Sequence, residues 1–214
     1  PFVALKAGSS LDGKIALSSG ESQWITGNEA RLFARQLRGC YDATMIGAGT
    51  LRHDNPTLDF RGTGFESEKK NKIIILDPKG KASDGFKHTL VYKTHGPKNI
   101  FVLTRNDHIE KWAKNLVHVV PWESDALSWE QALKNLYKKG IYSIYVEGGR
   151  YVFGQILSFS LAQKLYLFQS SKILGKGLGW SEFFENQTLA EAPHLKDWKS
   201  TSVGEDRLNV AYFK

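Results

Sequence analysis

The stretch IYSIYVEGGRYVFGQILSF, residues 141–159, decides the fold class. Residues 141–146 are an apolar run of strand length, the strand ends at Glu147-Gly148-Gly149, and residues 150–159 continue as a helix. A strand that passes through a glycine elbow into a helix is the repeating unit of an α/β domain. The elbow also suits an anion. Backbone N–H groups at a helix N-terminus face outward, and glycines without Cβ atoms let a ligand come close. The stretch lacks the six-residue dinucleotide fingerprint with its first glycines two apart, so an ordinary nucleotide-binding doubly wound fold is not supported. Taken alone, Gly148-Gly149 reads as a plain turn or as an anion site, with nothing to choose between them.

Outward from this unit the alternation continues. Residues 2–7 read as a buried strand, followed by the Asp-Gly tight turn of Ser10-Leu11-Asp12-Gly13. Thr26-Gly27-Asn28-Glu29 has capping-box spacing and opens a helix that runs to Arg38. Residues 43–46 form a strand that enters the turn Gly47-Ala48-Gly49-Thr50. Residues 71–76, 100–104 and 117–120 read as further strands. Residues 128–138 are an amphipathic helix with capping-box spacing from Ser128 to Gln131. A strand at 165–168, a Gly-rich loop at 175–179 and a strand at 208–213 follow. The polar, charged stretch 62–72 predicts an exposed loop. Without a repeat or a low-complexity linker, residues 1–214 read as a single domain.

Composition sets the outer limits. The chain has 214 residues, 41% hydrophobic and 24% charged, which excludes a disordered, collagen-like or coiled-coil chain. Its 29 Lys+Arg against 22 Asp+Glu give a formal charge of +7, which suits a phosphorylated ligand or a nucleic acid equally. The one cysteine, Cys40, excludes an internal disulfide framework and a Cys-based zinc site, and fits a reducing cytoplasm. No run approaches the roughly 18 apolar residues of a membrane span. The chain starts at Pro1 and reads as a piece of something longer.

His53, His88, His95, His108, His118 and His194 show no tight ligand spacing, so no metal site is expected and they read as surface or loop residues. A Gly-x-Ser-x-Gly nucleophile motif is absent as well. In Asp54-Asn55-Pro56-Thr57-Leu58-Asp59-Phe60-Arg61, the Asn-Pro pair forces an extended or turn conformation at Asn55. Arg38 and Arg61 are then either two solvated cations or a pair sharing one phosphoryl group, which Arg binds bidentately.

Six motifs occur in one order: Ser10-Leu11-Asp12-Gly13-Lys14, Gly20-Glu21-Ser22-Gln23-Trp24-Ile25-Thr26, Gly47-Ala48-Gly49-Thr50, Asp54-Asn55-Pro56 with Leu58, Arg61, and Val146-Glu147-Gly148-Gly149. This set resembles the reductase domain of bacterial riboflavin biosynthesis, the C-terminal half of the bifunctional pyrimidine deaminase/reductase. The resemblance implies a fold similar to dihydrofolate reductase: a mostly parallel central sheet flanked by helices, with an antiparallel C-terminal edge. It implies reduction of 5-amino-6-(5-phosphoribosylamino)uracil to its ribitylamino form, with NADPH as hydride donor, in a homodimer.

On matched positions, the resemblance puts Gly8, Trp24, Thr50 and Asp54 beside the cofactor. Gly149, Arg150, Tyr151, Val152, Phe153, Gly154 and Gln155 would hold its phosphates, with Arg150 favouring the 2′-phosphate. Ser22, Arg38, the Leu58 backbone and Arg61 would hold the substrate's phosphate, and Glu147 its polar groups. Lys6 and Asp54 are the candidates for orienting the sugar and handling protons near C1. The zinc signature of the deaminase half, His-x-Glu with Pro-Cys-x-x-Cys, is absent from this stretch. Two rival readings stand beside this one. The first is another reductase of the same fold, acting on a pterin or on the non-deaminated pyrimidine. The second is a basic nucleic-acid-binding module.

Overall fold

Apolar runs whose two faces are both oily must be covered on both sides. The computed structural model, which describes residues 1–60 and 71–214, lays these runs side by side in one nine-stranded sheet. In chain order the elements are β1 (Phe2–Ser9), β2 (Lys14–Leu17), α1 (Asn28–Gly39), β3 (Ala43–Gly47), α2 (Ala48–Asp54) and β4 (Lys72–Leu76). There follow α3 (Leu90–His95), β5 (Ile100–Thr104), α4 (Ile109–Ala113), β6 (His118–Pro121), α5 (Ala126–Lys138), β7 (Ser143–Gly148) and α6 (Arg150–Ser158). The chain closes with β8 (Lys164–Gln169), β9 (Gly177–Gly179), β10 (Leu195–Val203) and β11 (Asp206–Phe213). The sheet order is β10-β11-β8-β1-β7-β3-β4-β5-β6. The strands from β8 to β6 are parallel, and β11 and β10 add an antiparallel edge, as the resemblance implies. β2 and β9 form a separate antiparallel pair.

Helices cover both faces. On one, Leu5, Met45, Ile74 and Leu103 pack under Trp129 and Leu136 of α5 and Phe153 and Ile156 of α6. On the other, Ile73, Ile75 and Val102 meet Phe86, Val91 of α3 and Trp112 of α4. Farther along that second face, Ala30 and Ala34 of α1 sit on Tyr145, Tyr166 and Phe168. Fully burying one such aliphatic or aromatic side chain stabilises the fold by about 1.5–3 kcal/mol.

Several local expectations are corrected. Thr26 and Glu29 do not form a capping box: the N-cap of α1 is Gly27, whose N–H donates to the Asp206 carboxylate at 2.7 Å. A buried side chain from β11 replaces the local cap. Gly47-Ala48-Gly49-Thr50 is no turn, since β3 runs directly into α2. α5 begins before Ser128, capped by Asp125, which accepts from the Ser128 N–H at 2.8 Å. The 175–179 loop contains β9, paired with β2. His95 is no surface residue; it is 6% exposed.

The segment after β9 is strapped over α6. Trp180 meets Phe153 edge-on at 6.1 Å, and Phe183 meets Tyr151 at 6.3 Å. Gly154 makes the strap possible, because a Cβ there would lie 2.5 Å from Phe183 Cβ and 2.7 Å from its carbonyl oxygen. Gly154→Val therefore costs about 1–3 kcal/mol by overpacking, read as a lower urea midpoint with an unchanged m-value.

Candidate active site

Parallel strands leave their carboxyl ends at one edge of the sheet, and α/β domains bind ligands there. A cavity of about 590 Å³ opens at the ends of β1 and β7. Lys6 and Gly8 of β1 and Glu147 of β7 line it, with Thr50 and Asp54 of α2 opposite. Ile15 and Leu178 of the small β2–β9 pair, together with Ser22 and Trp24, make the remaining wall. Trp24 is held in place: its carbonyl accepts from Lys172 at 2.6 Å, and the Arg31 guanidinium lies 4.3 Å from its ring centroid.

Charge is concentrated on the cavity floor. Arg38, in the last turn of α1 where a cation suits the helix dipole, grips Glu147 with Nε on Oε1 and with Nη2 donating to Oε2 at 3.0 Å. Arg38 Nη1 donates to the Asp59 carbonyl at 2.8 Å. Lys6 Nζ stands 3.7 Å from Glu147 Oε2. Burial opposes the charge of Glu147, but Arg38 and then Lys6 outweigh it, so the carboxyl is held below its ordinary range. Burial pulls the Lys6 ammonium below the ordinary lysine value, Glu147 opposes this, and Arg38 adds to the lowering. Burial raises the Asp54 carboxyl, and His53 opposes it. The floor thus holds a carboxylate fixed by Arg38 beside a lysine whose ammonium burial disfavours.

A second cavity, about 540 Å³, adjoins the first and shares Gly49, Thr50, His53, Gly149 and Arg150 with it. The glycine elbow of β7 lies on this boundary. Gly148 has φ +112°, and a Cβ there would lie 3.0 Å from the Phe153 ring, so only glycine makes the bend. The Gly149 N–H approaches Thr50 Oγ1 at 3.4 Å, which brings the two glycine-containing strand ends together.

The expected site residues separate into groups. Lys6, Gly8, Ser22, Trp24, Thr50, Asp54, Glu147, Gly149 and Arg150 share the first cavity. Tyr151 and Val152 face the second. Phe153 is in the core, Gly154 lies against Phe183, and Gln155 accepts from Ser124 Oγ at 2.7 Å; none of these three lines either cavity. Arg38 reaches the site through Glu147. Leu58 buries its side chain, 3% exposed, and lines neither cavity. Arg61 lies outside the described residues.

The sequence reading missed Arg31 and His53 in the first cavity, and Arg52, Lys79, Lys81 and Arg105 in the second. Lys79, Lys81 and Arg105 were findable, since they follow the carboxyl ends of β4 and β5, where ligands bind in such sheets.

Fold and cleft together define an α/β domain with its cavities at the carboxyl ends of parallel strands. The sequence profile of the RibD C-terminal domain matches residues 1–208, and the chain belongs to that family. It is 32% identical over 217 residues to the riboflavin biosynthesis protein RibD of Bacillus amyloliquefaciens, covering 96% of this chain and 56% of that one. It is 30% identical to the 2,5-diamino-6-ribosylamino-4(3H)-pyrimidinone 5′-phosphate reductase of Candida glabrata, covering 94% and 86%. Among solved structures, a diaminohydroxyphosphoribosylaminopyrimidine deaminase/5-amino-6-(5-phosphoribosylamino)uracil reductase from Thermotoga maritima superimposes with a TM-score of 0.80. That pair is 31% identical, covering 100% of this chain and 57% of the other. The chain spans a little over half the length of the RibD relatives it matches.

Proposed function

We propose that the chain reduces 5-amino-6-(5-phosphoribosylamino)uracil to 5-amino-6-(5-phosphoribitylamino)uracil, using NADPH. The observation that carries this reading is the Lys6–Glu147 pair, held by Arg38 from outside the lining, in a cavity that continues past a glycine elbow into a second, cation-lined one. The residues present fit a dinucleotide. Gly149 lets a phosphate approach the N-terminus of α6, and Arg52, Lys79 and Lys81 carry no ion pair among the described residues. Arg150 is engaged by Glu182, with its guanidinium 5.4 Å from the Phe183 ring centroid. The 2′-phosphate is therefore assigned to Lys79, Lys81 and Arg52 in place of Arg150. When bound, the cofactor supplies the hydride.

The chain's own residues handle charge and protons. As the ribose ring opens, the C1′–O bond breaks, the exocyclic nitrogen forms a double bond to C1′, and Lys6 gives its proton to the departing ring oxygen. Glu147, fixed by Arg38, stabilises the positive charge that spreads over nitrogen and C1′. Lys6 then recovers a proton from solvent. Ser22, the Leu58 backbone and Arg61 hold the 5-phosphate, and Asp54 orients the sugar. A homodimer belongs to this reading through the family resemblance and a reducing compartment through the single Cys40, and sedimentation equilibrium tests the dimer.

NADPH absorbance followed with the deaminated and the non-deaminated pyrimidine in parallel tests the function. Turnover of neither overturns it. NADPH is expected to be preferred over NADH, and Lys79→Ala with Lys81→Ala to lower that preference about 10- to 150-fold, one charge-assisted phosphate bond being worth roughly 1.5–3 kcal/mol. Equal turnover of NADPH and NADH by the unaltered chain counts against the phosphate pocket.

A further inference from the structure

The segment that follows α2 is gripped from α3 at two places. The Asn55 side chain accepts from the Leu90 N–H at 2.9 Å, at the start of α3. At its end, His95 inserts a buried ring between two backbone carbonyls: Nε2 lies 2.8 Å from the Thr57 oxygen and Nδ1 3.2 Å from the Asn71 oxygen. Between the grips, Leu58 adopts φ +55°, a left-handed conformation that a branched side chain disfavours. Its side chain is sunk in the core, and the Asp59 carbonyl is tied to Arg38 at 2.8 Å.

A neutral imidazole has one N–H, and both partners here are acceptors only. Burial holds His95 below its ordinary value, although both carbonyls and Asp59 oppose the shift and Arg38 adds to it. We assign the proton to Nε2, where the contact is shorter, 2.8 Å against 3.2 Å. His95 is therefore the donor that fixes the Thr57 carbonyl, one residue before the strained Leu58.

We propose that His95 is a positioning residue for the substrate's phosphate: by holding the Thr57 carbonyl it keeps the Leu58 backbone in the conformation that offers its N–H to that phosphate. This rests on the reading above, in which the Leu58 backbone holds the phosphate.

The test separates the two ring nitrogens. Glutamine places its amide nitrogen near the Nε2 position, whereas asparagine reaches only as far as Nδ1. Against the phosphorylated substrate, His95→Phe and His95→Asn should raise KM about tenfold, the scale of one lost hydrogen bond, with kcat and NADPH affinity within about threefold. His95→Gln should return KM to within about threefold of the unaltered chain. With the dephosphorylated ribosyl substrate all four proteins should be alike. Should His95→Phe fail to fold, the Asn and Gln pair carries the comparison, and calorimetric titration with ribose 5-phosphate reads binding without turnover. A Gln variant no better than Asn, or equal losses on both substrates, overturns the proposal. If the unaltered chain itself does not distinguish the phosphorylated from the dephosphorylated substrate, the phosphate reading fails, and the proposal with it.

Discussion

Lys6→Met is expected to lower kcat by about 10²- to 10⁴-fold, the range for losing a positioned general acid, while KM and NADPH affinity change little. Lys6 is one-fifth exposed, lines the cavity and has its ammonium lowered chiefly by burial. Met fills nearly the same volume without a proton to give. The pH profile adds a second readout. An acid with a lowered pKa loses its proton as pH rises, so the unaltered enzyme should show an alkaline fall in kcat that Lys6→Met lacks. Arg at this position should not rescue, because guanidinium does not release its proton in this range. Stability should move little, since Glu147 keeps Arg38 as its main partner. A variant with kcat within about threefold of the original would remove Lys6 from the chemistry.

The centre of the sheet was legible because its strands are continuous apolar runs. Residues 100–104 coincide with β5, and the runs at 43–46 and 71–76 differ from β3 and β4 by one residue. What escaped had no such pattern. Every residue of β10 from Lys196 to Ser202 is exposed, so neither helical nor strand periodicity marks it. β9 has three residues, two of them glycine, and α4 has five, too short for a helical stripe to show. The errors at helix starts have two causes: at α1 a long-range partner displaced the local cap, Asp206 reaching Gly27 from 179 residues away, and at α5 a nearer residue, Asp125, took the cap three residues before Ser128. At the site, Glu147, Lys6 and Arg38 were named separately, but nothing in their spacing showed that Arg38 spends its fork on Glu147. That pairing is made by β1 lying beside β7 under the last turn of α1, a tertiary fact.

The same pairing yields a prediction that separates folding from catalysis. Glu147→Met leaves the Arg38 guanidinium, 16% exposed, and the Lys6 ammonium without their carboxylate. Removing one partner of a buried pair costs about 3–5 kcal/mol, which for a domain of this size is a Tm lower by roughly 6–20 °C. Replacing both partners by apolar groups of similar volume is often neutral, so Arg38→Met added to Glu147→Met should recover most of that loss. Lys6 then loses both charged neighbours, and burial, which already lowers its ammonium, remains the main influence on it. The pH dependence has a definite sign. Because the folded state holds the Glu147 carboxyl below its ordinary value, the stabilisation is complete above the ordinary glutamate range and is lost as pH falls through the folded value. The gap between the unaltered chain and Glu147→Met should be widest at neutral pH and close in acid. Turnover should follow a different course. The carboxylate that offsets positive charge at C1′ is missing from both variants, so kcat should stay about 10²- to 10³-fold down even where the double variant has regained its Tm. A double variant that regained turnover together with stability would reduce Glu147 to a structural partner of Arg38.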